Sequence, residues 1–248
     1  MGDRTDLAAL ILAAGEGTRM KSGLAKVLHE VCGKAMIRCV IETVNAVSPS
    51  RIVIVVGHQA DSVREELEGE EVEFILQKER LGTGHAALMS GPLLGDFSGT
   101  IVVLNGDTPL LKPETLGNFI EFHREAAASA TVLSALLDDP SGYGRIIRDV
   151  DGGFVRIVEH KDATEAERKV KEINSGIFCF EGGDLFSSLE EVGRRNVQGE
   201  YYITDVMEIL KNGGKRVAVY LSDQKDEVLG INDAEQLKAA ERLMAEDG

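Results

Sequence analysis

The chain has 248 residues, with 27 Lys plus Arg against 42 Asp plus Glu, a formal net charge of −15. An acidic excess of that size repels nucleic acid and anionic membrane, so neither is expected as a partner and any anionic ligand must meet a focused pocket. With 43% hydrophobic residues, 27 Gly and 5 Pro, the composition is that of a globular enzyme, not of a disordered, collagenous or disulfide-rich chain.

Short apolar runs alternate with segments of helical period, the rhythm of βα units around a largely parallel sheet. Strands are expected over 7–13, 51–56, 73–76 and 100–104, with helices over 35–47, 61–67 and 84–91 between them. The run 53–56 is continuous and β-branched, as suits a strand covered on both faces. A helix begins after Lys112 and Pro113, proline being preset for a first turn, and runs to Ala127. The second half changes character: strands over 131–137, 144–148, 153–158 and 173–180 with glycine-rich turns imply a mixed sheet there. Helices over 184–191 and 203–211, a strand over 217–221 and a helical stripe over 234–245 complete the chain. The apolar run 7–14 follows Asp3, Arg4 and Asp6 and precedes glycines, which reads as a buried strand and not a signal peptide. No apolar stretch approaches the roughly 20 residues of a membrane span, and a soluble cytoplasmic protein is expected. Cys32, Cys39 and Cys179 are odd in number, widely spaced and without a CxxC, as expected of reduced core thiols.

Chemistry is concentrated at strand ends. The first strand runs into Leu12-Ala13-Ala14-Gly15-Glu16-Gly17-Thr18-Arg19-Met20, where glycines bring backbone N–H groups near a phosphate or base and Arg19 offers a planar cation. The spacing is neither GxGxxG nor GxxxxGK[ST], and a plain tight connection is the other reading of this turn. Lys26 adds a second positive charge or is simply solvated. Asp107, beside Gly106 and just past an apolar strand, is placed to hold Mg²⁺ on a nucleotide phosphate or to cap the turn before Pro109. Gln77 ends a strand before a Gly82-Thr83-Gly84 helix start, so its amide could read a base edge beside the N–H and hydroxyl groups of Gly82 and Thr83, or serve as a strand-end amide before an N-cap. His85 reads as a helix residue near the wall. The histidines show no ligand spacing, so no zinc site is expected, and GxSxG, HExxH, HRD and DFG sequences are absent. Glu159, Asn174 and Asn232 each end an apparent strand, as site residues or as caps.

Taken in order, these segments resemble the sugar-phosphate nucleotidyltransferases, and most closely the N-terminal domain of the bacterial N-acetylglucosamine-1-phosphate uridyltransferases. The match is carried by Leu12 to Met20, Lys26-Val27-Leu28-His29, Gln77 with Leu81-Gly82-Thr83-Gly84-His85-Ala86, Gly106-Asp107-Thr108-Pro109-Leu110, Gly142-Tyr143-Gly144-Arg145, Ile157 to Thr164, Glu172 to Gly176, and Gly199 to Asp205. It spans nearly the whole chain.

That resemblance implies a three-layer α/β/α Rossmann-like fold with a mixed, mostly parallel sheet, in one domain with a nucleotide-binding half over 1–112 and a sugar-binding half over 113–248. It implies transfer of the uridylyl group of UTP to N-acetylglucosamine 1-phosphate, giving a peptidoglycan precursor and pyrophosphate with Mg²⁺ as cofactor. By the same resemblance Leu12, Ala13, Ala14, Gly15, Lys26, Gln77, Gly82, Thr83, Asn105 and Gly106 would hold the nucleotide. Arg19, Lys26 and Asp107 would be catalytic, Asp107 and Asn232 would bind the metal, and Gly144, Glu159 and Asn174 would contact the sugar. The chain departs from the family pattern at Ala25 and Ala35, where proline is common, and at Asn105, often aromatic. The left-handed β-helix acetyltransferase domain of the bifunctional members has no counterpart in these residues, so no acetyl-CoA chemistry and a monomer or weak dimer are expected. Rival readings are a glucose 1-phosphate enzyme using UTP or dTTP, a molybdopterin guanylyltransferase sharing the glycine-rich opening, and a non-catalytic nucleotide-sugar binder.

Overall fold

Side chains alternate along the first strand, β1 (Leu7–Ala13), so that Ala9, Ile11 and Ala13 enter one core cluster while Ala8 and Leu10 enter another. A strand buried on both faces needs helices on both, and the chain supplies them. The computed structural model describes residues 6–20 and 22–246, apart from the side chains of Thr18 and Glu246; Asp3 and Arg4 lie outside the described residues.

A short hairpin of β2 (Glu30–Val31) and β3 (Lys34–Ala35) leads into α1 (Met36–Ala46), then β4 (Arg51–Val56), α2 (Ala60–Glu66), β5 (Glu73–Leu76), α3 (Thr83–Met89), the single turn α4 (Gly91–Leu94) and β6 (Thr100–Asn105). The second half follows as α5 (Pro113–Glu125), β7 (Ala130–Leu136), β8 (Gly144–Arg148), β9 (Phe154–Val158), the single turn α6 (Glu165–Arg168), β10 (Glu172–Glu181), α7 (Gly182–Leu189), α8 (Asp205–Asn212), β11 (Val217–Ser222) and α9 (Ala234–Glu246). The main sheet has the order β11-β7-β10-β6-β1-β4-β5. β1 pairs in parallel with β4 and β6, β4 with β5, and β7 with β11, whereas β10 runs antiparallel to both β6 and β7. Helices α1, α2 and α5 cover one face with Ile37, Ile41, Val63, Leu116 and Phe119; α3, α7 and α8 cover the other with Ala87, Leu185, Val206 and Met207. The expected three-layer α/β/α fold with a mixed, mostly parallel sheet is the one observed.

Differences from the sequence reading are local. The helix expected over 203–211 begins at Asp205, because Ile203 and Thr204 bind neighbouring segments instead. The helix expected over 84–91 starts at Thr83 and breaks near Ser90, whose hydroxyl donates to the Ala87 carbonyl. Cys39 and Cys179 are buried free thiols, but Cys32 is exposed, which corrects the expectation of three core thiols. It occupies the β2–β3 turn with φ +51°, and tight turns run over the surface. Among the described residues no helix is long and apolar enough to cross a membrane.

The antiparallel strand decides where the two halves meet. Parallel strands bring the C-terminal ends of β1, β4, β5 and β6 to one edge of the sheet, the edge at which ligands bind open α/β sheets. Because β10 is reversed, its first residues reach that same edge. There it departs from regular pairing: between Asn174 and Phe178 it advances four residues while β7 moves only from Ser134 to Val132. The hairpin β8–β9 pairs with this part of β10, Asn174 opposite Gly144, and so stands over the edge.

The hairpin is tied down by Arg148, whose Nε and Nη2 donate to the two oxygens of buried Glu172 at 2.7 Å each, while Ser134 donates to the same carboxylate at 2.9 Å. Arg148→Met leaves that carboxylate short of its charged partner and is expected to lower stability by about 1–3 kcal/mol. Urea unfolding checks this as a reduced midpoint at unchanged slope.

Candidate active site

Two adjoining cavities, of about 260 and about 230 Å³, open along the ligand edge of the sheet. Leu12, Ala13, Ala14, Gly15, Lys26, Gln77, Gly82 and Thr83 line the first, at the ends of β1 and β5 and the start of α3. Gly144, Glu159, Asn174, Arg19 and Asn232 line the second, from the hairpin, the start of β10 and the loop before α9. Thr83, Asn105 and Asp107 belong to both walls, so the end of β6 is the partition between them.

A cluster of charge sits at that partition. Lys26 donates from Nζ to Asp107 Oδ2, in a short ion pair, and to Asn232 Oδ1 at 2.7 Å. Arg19 donates from Nη2 to the same Asn232 oxygen, also at 2.7 Å. Asn232 is oriented by donating from Nδ2 to the Gly230 carbonyl at 3.0 Å, and its own N–H goes to Gln236 Oε1 at 2.6 Å. The Ile231 N–H donates to the Asp107 carbonyl at 2.9 Å, binding the two loops backbone to backbone. The carboxylate of Asp107 and the amide oxygen of Asn232 thus converge on one cationic atom. An oxygen-only pair around a point already held by an ammonium fits a hard divalent cation. Among the described residues no three His, Cys, Asp or Glu side chains gather, so most of such a cation's shell would come from water and phosphate.

At the far end of the first cavity Gln77 is only 4% exposed. Its Nε2 donates to the Gly82 carbonyl at 3.2 Å and meets His85 Nδ1 at 2.9 Å. Gly82 has φ +110°, and a Cβ there would lie 2.4 Å from the Tyr201 carbonyl oxygen, so no other residue fits this turn without displacing its neighbour. The contact arises because 201–203 runs as a strap across the turn: Tyr201 N–H donates to Leu81 O and Gly84 N–H to Tyr201 O, both at 2.8 Å, and Ile203 N–H to Thr83 Oγ1 at 3.1 Å.

The same strap reaches the second cavity, where Thr204 donates from Oγ1 to Glu159 Oε1 at 3.3 Å. Burial pushes the Glu159 carboxyl above the ordinary range, the Thr204 hydroxyl opposes the shift, and Asp162, Asp205 and Glu200 add to it. Asp205 is pushed up to about 6 by burial, with Glu208 and Asp162 contributing. Tyr143, also on this wall, is raised by burial first and by Asp107 second. Asn174 accepts the Gly176 N–H at 2.9 Å through Oδ1, so it serves the local turn while also lining the cavity.

Gly106 is not brought to either cavity. The space its side chain would fill is closed by Ile37 and Val27, about 3.0 Å away, and its N–H continues the sheet to the Leu12 carbonyl. The sequence reading passed over Tyr143, Arg80, Glu200 and Thr204. Tyr143, Glu200 and Thr204 lie inside the motif segments and Arg80 between Gln77 and Leu81, but nothing in residue type or spacing singles them out. Arg80 and Glu16 form an ion pair at 2.8 Å between the loops that flank the first cavity.

A model of the MobA-like NTP transferase domain matches residues 9–145. The chain is 51% identical to the bifunctional protein GlmU of Halalkalibacterium halodurans over 236 residues, 95% of this chain and 52% of that protein. The GlmU proteins of Brevibacillus brevis and Enterococcus faecalis are each 51% identical over 95% of this chain and 51% of theirs. The chain therefore spans about half the length of the curated relatives it matches. A solved Bacillus anthracis structure assigned as a glucose-1-phosphate thymidylyltransferase, in complex with sucrose, superposes with a TM-score of 0.76 at 20% identity, covering 96% of this chain and 94% of that one. At that identity the likeness concerns the fold.

Asp205 gives the site a stability signature. Its folded value, about 6, lies above the ordinary 3.8, so the folded state holds the proton more tightly and stability falls as pH rises from about 4 to about 6. Asp205→Asn is expected to stabilise the protein above pH 6 by about 1–2 kcal/mol, after allowance for its partial exposure, and to have little effect below pH 4. Urea unfolding of both proteins at pH 4 and pH 7.5 measures the difference.

Proposed function

The chain belongs to the MobA-like NTP transferase domain family, and on that premise we propose that it transfers the uridylyl group of UTP to N-acetyl-α-D-glucosamine 1-phosphate, releasing pyrophosphate and UDP-N-acetylglucosamine. The observation that carries the reading is the cation cluster of Arg19, Lys26, Asp107 and Asn232 at the junction of two cavities that share a wall. A reaction joining a nucleotide to a sugar phosphate needs two subsites that meet where the phosphates meet. The 51% identity to GlmU proteins supports the uridyl and N-acetylglucosamine assignments.

In this reading residues 1–112 form the nucleotide half. The backbone of Leu12, Ala13, Ala14 and Gly15 holds the nucleotide, Gln77 with Gly82 and Thr83 reads uracil, and Asn105 adds polar contact from the partition. Residues 113–248 form the sugar half, with Glu159 accepting from sugar hydroxyls and Asn174 and Gly144 completing the contact. The attacking phosphate oxygen of the sugar substrate is already anionic, so no side-chain base is required. It attacks the α-phosphorus in line, the new P–O bond forms as the bond to pyrophosphate breaks, and pyrophosphate leaves with the electron pair. Arg19 and Lys26 exchange their hold on Asn232 for phosphate oxygens, aligning the groups and neutralising charge that grows on the leaving oxygens. Mg²⁺ held by Asp107 and Asn232 would supply further neutralisation of the phosphates. The enzyme works in the cytoplasm, where UTP and the sugar phosphate are found, and its product serves cell-wall synthesis.

The direct test is Mg²⁺-dependent pyrophosphate release from UTP with N-acetylglucosamine 1-phosphate, glucose 1-phosphate or glucosamine 1-phosphate as acceptor. Release with the acetylated sugar is expected; release only with another sugar phosphate reassigns Glu159 and Asn174, and tight UTP binding without release points to a sensor. Asp107→Asn keeps the shape but removes the metal-binding charge, and kcat should fall by about 100-fold or more with the unfolding midpoint retained. Near-wild-type turnover of that variant at limiting Mg²⁺ refutes the metal assignment.

A further inference from the structure

His85 has no part in the mechanism above, yet it touches Gln77, the carboxamide given the task of reading the base. The carboxamide of Gln77 is almost fully buried, and both of its N–H groups are spoken for: one by the Gly82 carbonyl at 3.2 Å, the other by His85 Nδ1 at 2.9 Å. A carboxamide has two ends of nearly equal size, so shape alone does not decide which end faces a ligand; its hydrogen-bond partners do. Flipped by 180°, Gln77 would set Oε1 against the lone pairs of the Gly82 carbonyl and of His85 Nδ1, losing two hydrogen bonds in a buried position.

The consequence reaches the cavity. With Nε2 engaged by Gly82 and His85, the acceptor Oε1 is the polar atom of Gln77 left to serve the space it lines. An acceptor suits a base with an N–H at ring position 3, as uracil has. Cytosine carries a lone pair at that position and requires a donor there, the group the flipped amide would present. The Gly82 carbonyl also accepts the Ala86 N–H at 3.1 Å and cannot leave without opening the start of α3. His85 is the adjustable member of the pair, because its ring presents an acceptor at Nδ1 only in the form that carries the proton on Nε2.

We propose that His85 is a positioning residue that fixes the orientation of the Gln77 carboxamide and thereby sets the preference of the nucleotide cavity for uracil over cytosine. The proposal rests on the reading of Gln77 as the base-recognition residue, and adds a residue whose influence on the base passes through another side chain. His85 itself is half-buried and its ring centroid stands 6.3 Å from that of Tyr201 in the strap.

The test is equilibrium binding of UTP and of CTP, each with Mg²⁺, to the full chain by titration calorimetry. Wild type is compared with His85→Leu, which removes the acceptor, and with His85→Asn, whose Oδ1 stands near the position of Nδ1. The UTP-over-CTP preference should fall roughly five- to tenfold in His85→Leu, the factor that one lost hydrogen bond supplies, and return in His85→Asn. His85→Phe keeps the ring volume without the acceptor and gives the same comparison if the leucine variant folds poorly. A preference unchanged in the variants that lack the acceptor, or lost equally in His85→Asn, overturns the role of His85 while the base assignment of Gln77 stands. Equal affinity of wild type for the two nucleotides overturns the base assignment itself.

Discussion

The ion pair between Lys26 and Asp107, shared with Asn232, is the contact on which the organisation of the site depends. It joins the loop after β1, the end of β6 and the loop before α9, segments up to 206 positions apart in the chain. In a protein of net charge −15, two cations held together at one point create a local field opposite to that of the surface. The cluster holds itself together by mutual pairing: Lys26 neutralises Asp107, and the oxygen of Asn232 separates Lys26 from Arg19, two cations that would otherwise repel.

The second organising feature is the strap. Residues 201–204 bind the turn at Leu81–Gly84 through three hydrogen bonds and Glu159 through a fourth, so one short segment touches both cavities. Its carbonyl at Tyr201 is the reason that position 82 admits only glycine. Two acidic groups next to it, Glu159 and Asp205, gain protons more readily than they would in water because burial disfavours their charge, and the charge of Asp162 adds to both shifts.

Legibility in the sequence followed the length of the signal. β1, β4 and β5 lie where their apolar runs end in glycine or polar residues, since a core strand needs a continuous apolar stretch and a break. The β2–β3 hairpin, with two residues in each strand, is too short for any period to register. The single turn α6 opens on a capping box between Thr164 and Glu167 that is written in the sequence as T-x-x-E but lacks the apolar stripe that would mark a helix. Cys32 was misjudged because an apolar neighbourhood in sequence does not say which residue takes the turn.

Residue types and their order determined the class of fold, the location of chemistry at strand ends, and the identity of the charged and amide groups at the site. Those properties are local, arising from side-chain chemistry and from periodicities of two and 3.6 residues. Which of these groups line a cavity and which face the core was decided by packing. Asn174 proved to serve its own turn and the cavity together, Gly106 turned to the core, and Gln77 acquired a fixed orientation through His85. Such outcomes depend on contacts between segments distant in the chain, and above all on the reversal of β10, which carries Asn174 and the β8–β9 hairpin to the edge where the parallel strands end.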